Sequence, residues 1–140
     1  MKNRDAEIVA EVRRVFDAFN RGDLDAAMKN IHPEAELVTT GGQQTLKGAA
    51  RVRAWMEPDA FESQVVEPLD FRVVANRVLV RARSHIKGAG SGIEVDALGW
   101  MVWTYDEAGL ATRLELYLGH QEAEAVEAVG LSEQDVHADS

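Results

Sequence analysis

Side chains that could perform chemistry are few in this 140-residue chain, and they stand apart from one another. There is no cysteine, which excludes thiolate catalysis, disulfide bonds and cysteine-ligated zinc. His32 precedes a proline and His85 lies near a predicted hairpin tip, and neither is spaced with partners for a metal site. His120, at the start of a predicted closing helix, is retained as a candidate general acid or base. We therefore expect no metal centre and no cofactor.

Charge and composition narrow the remaining classes of function. The net charge of −9 disfavours nonspecific binding to nucleic acid or to an anionic membrane. A hydrophobic content of 46% over this length suits one folded domain with a core and a modest cavity. We expect a single domain over residues 1–131 and an acidic, flexible tail over residues 132–140. No segment suits a signal peptide or a membrane span, so the expected location is the cytoplasm.

The spacing of apolar residues predicts four helices. The first runs through the N-terminal segment and stops at Gly22, a residue suited to the left-handed conformation at a helix end. Asp23 is expected to cap a second, shorter helix that Pro33 ends. Residues 49–56 are predicted as a third helix and residues 121–129 as a short closing helix.

Most of the remaining chain alternates in polarity as β-strands do. Strands are predicted at residues 36–39, 61–74 with an interruption at Pro68, 78–87, 93–105 and 111–118. The glycine-rich segment 88–92 joins two of them as a hairpin, and it is not a phosphate cradle because no helix follows it. The element order predicts an α+β cone, in which a curved antiparallel sheet is wrapped by about three N-terminal helices around an apolar cavity.

One face of the predicted sheet is expected to line that cavity. Alternate residues of a strand share a face, and the set from Val78 to Ile86 is mostly apolar, whereas the other set carries arginines. The predicted lining residues are Val15, Phe19, Thr39, Trp55, Ala82, Ser84, Gly99, Met101, Trp103 and Leu116. Thr39 and Ser84 are the polar members with hydrogen-bonding side chains, and we expect them to orient one polar group of a bound molecule.

The opposite face of the predicted sheet mixes apolar and charged side chains. An exposed apolar patch of this kind usually marks a partner. The sequence therefore predicts a homodimer through the sheets, with contacts from Leu79, Arg81, Leu98, Trp100 and Tyr117. The alternative is that loops of the same chain cover Trp100.

A reversed orientation of the strand at 78–87 is also open. Arg81, Arg83 and His85 would then line the cavity beside Gly99. Such a wall would bind a carboxylate or a phosphate rather than an apolar molecule.

The order and spacing of several short segments resemble the SnoaL-like branch of the nuclear-transport-factor-2-like superfamily. The segments are Phe16 to Asp25, His32-Pro33-Glu34-Ala35, Leu46-Lys47-Gly48, Arg77 to Ile86, Val102 to Gly109, and Glu124 to Leu131. None is specific alone, but together they span nearly the whole chain. The resemblance implies a curved sheet wrapped by helices, an apolar pocket and frequent dimerisation. The superfamily includes ketosteroid isomerases, polyketide cyclases, epoxide hydrolases and members without catalytic activity, so fold alone does not settle function.

The resemblance also implies which positions of this chain correspond to the relatives' catalytic residues. The tyrosine, base and acid of the ketosteroid isomerases fall at Val15, Thr39 and Met101. The acidic position of the epoxide hydrolases and SnoaL-type cyclases falls at Leu116. Valine, methionine and leucine cannot move a proton, and an unactivated threonine is a poor base at neutral pH.

These observations predict a SnoaL-like protein that binds a small hydrophobic molecule in a pocket without the isomerase and epoxide-hydrolase groups. One alternative is a cyclase-, isomerase- or hydrolase-type enzyme that uses a non-standard acid or base, such as His120 or an inward arginine. Another alternative is an interaction module whose cavity is filled by its own Met101 and Trp103 side chains.

Overall fold

A six-stranded sheet with helices on both of its faces forms the fold, in a computed structural model that describes residues 2–39, 44–57, 61–88 and 90–130. The helices are α1 (Lys2–Asn20), α2 (Leu24–Ala27), α3 (Ala49–Met56) and α4 (Glu122–Val129). The strands are β1 (Ile31–Val38), β2 (Thr45–Lys47), β3 (Phe61–Val74), β4 (Arg77–Gly88), β5 (Glu94–Tyr105) and β6 (Ala111–Leu118). The expected tail at 132–140 and most of the loop at 41–44 lie outside the described residues.

Helix α1 forms where the apolar spacing predicts it. Val12, Val15 and Phe16 are buried on one face of the helix, in the main core cluster. Gly22 adopts a φ of 78°, which glycine reaches without steric cost, and this residue separates the two helices. The Asp23 side chain then accepts a hydrogen bond of 3.1 Å from the Ala26 amide, as expected for the cap of α2.

Strand β1 begins earlier than the sequence predicts, and α2 is correspondingly shorter. The segment that includes Pro33 belongs to β1 instead of ending a helix. Strand β1 runs parallel to β6 and also pairs with the short β2, which the sequence analysis missed. Strand β2 pairs only with residues 36–38 of β1. Pro33, which has no backbone N–H, therefore interrupts no hydrogen bonds on the side of β1 that faces β2. The sheet is therefore mixed, not wholly antiparallel as predicted.

The strand order is β2-β1-β6-β5-β4-β3, which places β3 at one edge. Strand β3 is continuous through Pro68, because an irregularity of register between Pro68 and Asp70 absorbs the proline. Strands β4 and β5 pair with Val80 opposite Met101 and Ala82 opposite Gly99. These four residues lie on what we call the inner face of the sheet, which packs against α1 and α3 in one core cluster.

Helix α4 covers part of the opposite, outer face of the sheet. Its buried residues Ala125, Val126 and Val129 form a second apolar cluster with Leu79 of β4 and Val102 of β5. The chain thus has helices on both faces, with those from the N-terminal half on the inner face. No helix in the described ranges combines the length and the apolar character needed to cross a membrane.

Candidate functional site

A cavity of about 300 Å³ lies between α1, α3 and the inner face of the sheet. This volume is at the lower end of the range of roughly 300–1,000 Å³ that is typical of ligand sites. Strands β3 to β6 contribute residues to its wall, and Phe16 and Phe19 of α1 close one side. Trp55 at the end of α3 borders the cavity and is exposed, so the cavity opens to solvent there.

Most of the residues predicted to line a cavity are brought together here. Around the wall lie Val15, Phe19, Trp55, Ala82, Ser84, Gly99, Met101, Trp103 and Leu116. Thr39 does not line the described cavity. It follows the end of β1, a strand that β6 separates from most of the wall, and its hydroxyl donates a 3.1 Å hydrogen bond to the Gln44 carbonyl.

Sequence reasoning missed the contribution of β3 to the wall. Gln64 and Val66 line the cavity, and Val66 pairs with Ser84 on the inner face. The shift of register near Pro68 obscured the alternation of β3, although the pairing of Val66 with an inner-face residue follows once β4 is oriented.

Asn20 joins the end of α1 to the wall through two hydrogen bonds. Its Nδ2 donates to the Val66 carbonyl and its Oδ1 accepts from the Val66 amide, each at 2.9 Å. Because Val66 is on the edge strand, this side chain takes the place of a neighbouring strand. The arrangement fixes the adjacent Phe19 against the cavity.

The arginines of β4 lie on the outer face, so the reversed orientation of this strand is wrong. Arg81 is 3.6 Å from Asp70, and Arg83 Nε is 3.6 Å from Asp96 Oδ1. Both pairs are partly exposed and screened by solvent, so they add little to stability. Leu79 on the same face is covered by α4. In the reversed orientation, the buried side chains of Val78, Val80 and Ala82 would lie on the outer face, and the free energy gained from burying them in the core would be lost.

Hydrogen-bonding groups on the wall are few. The described lining residues include no carboxylate, imidazole, guanidinium or ammonium group. They do include the amide of Gln64, the hydroxyl of Ser84 and the indole of Trp103. Trp103 is 2% exposed, and its Nε1 has no hydrogen-bond partner among the described residues. A buried donor of this kind is costly unless an acceptor reaches it.

Aromatic rings hold Trp103 in place. Phe16 meets it edge-on with ring centroids 6.4 Å apart, and Tyr105 stacks on it at the same distance. The Tyr105 hydroxyl is likewise buried without a partner in the described residues. Burial, and to a lesser degree the charge of Glu11, raise the pKa of Tyr105, so its phenol stays protonated.

Tyr117 borders the cavity, but its hydroxyl is engaged elsewhere. That hydroxyl donates a 2.8 Å hydrogen bond to Glu115, its neighbour on the same side of β6. Burial, followed by this hydrogen bond, raises the pKa of Tyr117. Neither tyrosine therefore ionises near neutral pH, and neither is a general base there.

The candidate acid or base His120 is not part of the described wall. It lies on an exposed 3-10 turn, Gly119–Gln121, between β6 and α4. His32 accepts a hydrogen bond from the Glu34 amide at 3.0 Å, and His85 Nδ1 is 3.7 Å from Asp96 on the outer face. In the part of the chain that the structure covers, no three histidine or carboxylate side chains are grouped to hold a metal.

The residues predicted to form a dimer contact do not all lie on a free surface. Leu79 is only 3% exposed because α4 packs on it, so its predicted role in a dimer contact is wrong. Leu98 is 40% exposed, and Arg81 is partly exposed. Trp100 and Tyr117 are half-buried beside α4, and the Trp100 indole donates to the Gly119 carbonyl at 3.2 Å. The chain's own helix thus covers part of this patch and leaves the remainder open.

Solved structures with the same fold include proteins that act on or bind organic molecules. The epoxide hydrolase/cyclase-like enzyme SalBIII, from pyran ring formation in the polyether salinomycin, superposes with a TM-score of 0.73 at 20% identity, over 86% of this chain and 95% of that chain. A nuclear-transport-factor-2-like protein of unknown function from Burkholderia pseudomallei gives 0.70 at 20% identity, over 88% and 97% of the two chains. A Mycobacterium tuberculosis protein in complex with estradiol-17beta-hemisuccinate gives 0.69 at 14% identity, over 81% and 94%.

Sequence comparison agrees with this fold. No curated protein matches the chain. Residues 12–114 match the family described as the SnoaL-like domain, and this range runs from the second half of α1 to the first residues of β6. The chain therefore belongs to the SnoaL-like domain family, and its fold is that of a nuclear-transport-factor-2-like protein.

Proposed function

We propose that this protein binds a small, neutral, largely apolar molecule in its cavity and does not transfer protons to or from it. One observation carries the proposal: a space of about 300 Å³ is bounded by a described wall without an ionised side chain. General acid–base catalysis needs a titratable group within hydrogen-bond reach of the reacting atom. The relatives' catalytic positions at Val15, Met101 and Leu116 border the space with hydrocarbon and thioether groups.

The size and the polar groups of the wall define the ligand further. At roughly 20–30 Å³ for each packed non-hydrogen atom, the space suits about ten to fifteen such atoms. The hydroxyl of Ser84 and the amide of Gln64 on the wall favour a molecule with a hydrogen-bond acceptor such as a carbonyl oxygen. The M. tuberculosis protein in complex with estradiol-17beta-hemisuccinate supports the coarser point that a similar fold binds an organic molecule.

Two ligands of equal shape test the proposal. Acetylnaphthalene is neutral with a carbonyl acceptor, whereas naphthoate is an anion of nearly the same size. Because a buried unpaired charge costs several kcal/mol, the neutral compound is expected to bind at least about a hundredfold more tightly. Binding is followed by titration calorimetry and by the fluorescence of Trp55, Trp100 and Trp103, all of which border the cavity. Equal or tighter binding of naphthoate would refute the proposal, as would chemical turnover of a bound ketone.

We also infer that two copies associate through the part of the outer face that α4 leaves open. This area contains the apolar Leu98 and Trp100 of β5, beside the pairs Arg81–Asp70 and Arg83–Asp96. Opposite charges beside an apolar patch suit a two-fold contact in which each patch meets its own copy. Sedimentation should give a dimer for the native protein and a monomer for Leu98→Glu. The control Ile93→Glu adds the same charge at an exposed residue outside this area and should remain dimeric.

A further inference from the structure

We propose that the ligand site continues beyond the cavity along the inner face of the sheet, and that it takes an elongated molecule with an unbranched apolar tail. This inference rests on the proposed function and names its ligand class: a neutral amphiphile with a single chain. The extension is an apolar strip that consists of Ile86, Val95, Ala97 and Leu118. We call this set the mouth strip.

The mouth strip is continuous with the cavity wall. Ile86, Ala97 and Leu118 border the cavity themselves. Val95 is directly opposite Ile86 in the β4–β5 ladder, so their side chains are neighbours on the inner face. From Ala97, in the wall, to Val95 the strand advances about 7 Å, at 3.3 Å per residue. The strip is therefore long enough to hold several carbons of a chain that leaves the cavity.

Exposed apolar side chains concentrate at this end of the molecule. Val95 is 50% exposed and Leu118 is also exposed, although both lie on the face that is buried elsewhere by α1 and α3. Trp55 and Leu98, two further exposed apolar residues, border the same opening. A contiguous apolar patch on a protein surface usually binds something apolar. Its continuity with an apolar cavity favours a single ligand that occupies both.

The chemistry at each end fixes the direction of the ligand. The inner end meets the apolar side chains of Phe19, Met101 and Leu116. The outer end of the strip approaches the β4–β5 turn, where Ser91 and Glu94 are exposed to water. The apolar end of an amphiphile therefore enters the cavity, and its polar head reaches solvent at the turn.

A series of alkyl maltosides with increasing tail length, used below their micelle-forming concentrations, tests the inference. From octyl to decyl the tail still enters the cavity, and the dissociation constant is expected to improve by about tenfold for the two added carbons. From decyl through dodecyl to tetradecyl the added carbons lie on the strip and are buried on one side. The expected gain there is about fourfold for every two carbons.

Two matched variants test whether the affinity gained by the longer tails comes from the mouth strip. Val95→Ser on the mouth strip should reduce the ratio of decyl to tetradecyl dissociation constants well below its native value of about sixteen, without changing octyl binding. Val65→Ser is the control, because Val65 is 42% exposed in a neighbouring part of the sheet but pairs with His85 on the outer face. It should keep the native ratio. Both side chains are exposed, so thermal unfolding should be little changed in either variant.

The possible results separate this inference from the proposed function. If octyl and decyl maltoside bind but longer tails gain nothing, the mouth strip takes no ligand and this inference is refuted while the cavity proposal stands. If Val95→Ser leaves the ratio unchanged but alters sedimentation, the strip is a contact between copies, which also refutes it. If neither the maltosides nor acetylnaphthalene bind, the proposed function fails first.

Discussion

Replacement of Ala82 by leucine should stabilise this protein and weaken its ligand binding at the same time. Ala82 is 3% exposed, lines the cavity, and pairs with Gly99, which has no side chain to obstruct a larger neighbour. In a well-packed core, added carbons force strain and cost about 1–3 kcal/mol. Where a void exists, the same carbons fill it and gain contacts instead.

The magnitude follows from the three carbons that leucine adds. At about 0.8 kcal/mol for each buried carbon, the upper limit is about 2.4 kcal/mol, from which about 0.5–1 kcal/mol of side-chain entropy is lost. A net gain of about 1–2 kcal/mol corresponds to a rise in Tm of about 2–8 °C for a chain of this length. The same atoms occupy about 60–90 Å³, at 20–30 Å³ each, which is a substantial part of the cavity.

The assay is urea unfolding combined with titration of acetylnaphthalene. Ala82→Leu should unfold at higher urea and bind the compound at least about tenfold more weakly. Ala111→Leu is the matched control, because Ala111 is also 3% exposed in a strand of the same core cluster but does not border the cavity. The free energy of unfolding of Ala111→Leu should fall by about 1–3 kcal/mol, because the added carbons strain a filled core. If Ala82→Leu is destabilised as much as Ala111→Leu, the cavity is already filled and the reasoning is refuted.

Four further outcomes follow from particular contacts. Tyr105→Phe removes a buried hydroxyl without a partner and should leave stability unchanged or raise it by up to about 1–2 kcal/mol in thermal unfolding; a loss above about 1 kcal/mol would indicate a hidden partner. Because the pKa of Tyr105 is raised in the folded state, stability should fall as pH rises above about 10, and Tyr105→Phe should reduce that alkaline loss in urea unfolding. Asn20→Ala removes both hydrogen bonds to Val66 and should cost about 1–3 kcal/mol by the same assay, whereas an unchanged midpoint would contradict the role given to this contact. Arg83→Ala should leave acetylnaphthalene affinity unchanged in calorimetry, since this side chain is on the outer face; a loss of binding would indicate that Arg83 lines the cavity.

Local patterns in the sequence were sufficient for the elements that form most of the cavity wall. In β4 the arginines fall at alternate positions, so polarity alone identified the inner face and placed Ala82 and Ser84 on it. Pairing in the antiparallel hairpin places Gly99, Met101 and Trp103 on the same face, opposite Ala82, Val80 and Val78. This inference works because the period of a strand is two and one face must be buried.

Elements set by distant pairing could not be obtained in this way. Strand β1 starts at Ile31 because it lies parallel to β6, whose partner residue Ala111 is far along the chain. No local pattern encodes that contact, and Pro33 favoured a helix end instead. In the same manner, α4 is short and amphipathic, but only the folded chain determines that it docks on Leu79 and Val102. For this reason the sequence could not show that α4 covers Leu79, and the predicted dimer contact at this residue is wrong.

The alternating polarity of a strand also could not predict where Thr39 lies relative to the cavity. The resemblance to ketosteroid isomerases placed a base there, yet β6 stands between β1 and most of the cavity wall. A motif alignment carries residue order but not the distance between a strand end and a pocket. The remaining positions taken from that alignment, Val15 and Met101, do border the cavity.

Diffraction from a crystal held under xenon pressure tests the central claim most directly, because dry apolar cavities take up xenon whereas polar or filled ones do not. The account predicts strong xenon density, or density for a bound apolar molecule, in the space bounded by Phe19, Met101 and Leu116. Side chains of Met101 and Trp103 that fill this space, or ordered water held by a carboxylate or an imidazole within it, would contradict the account.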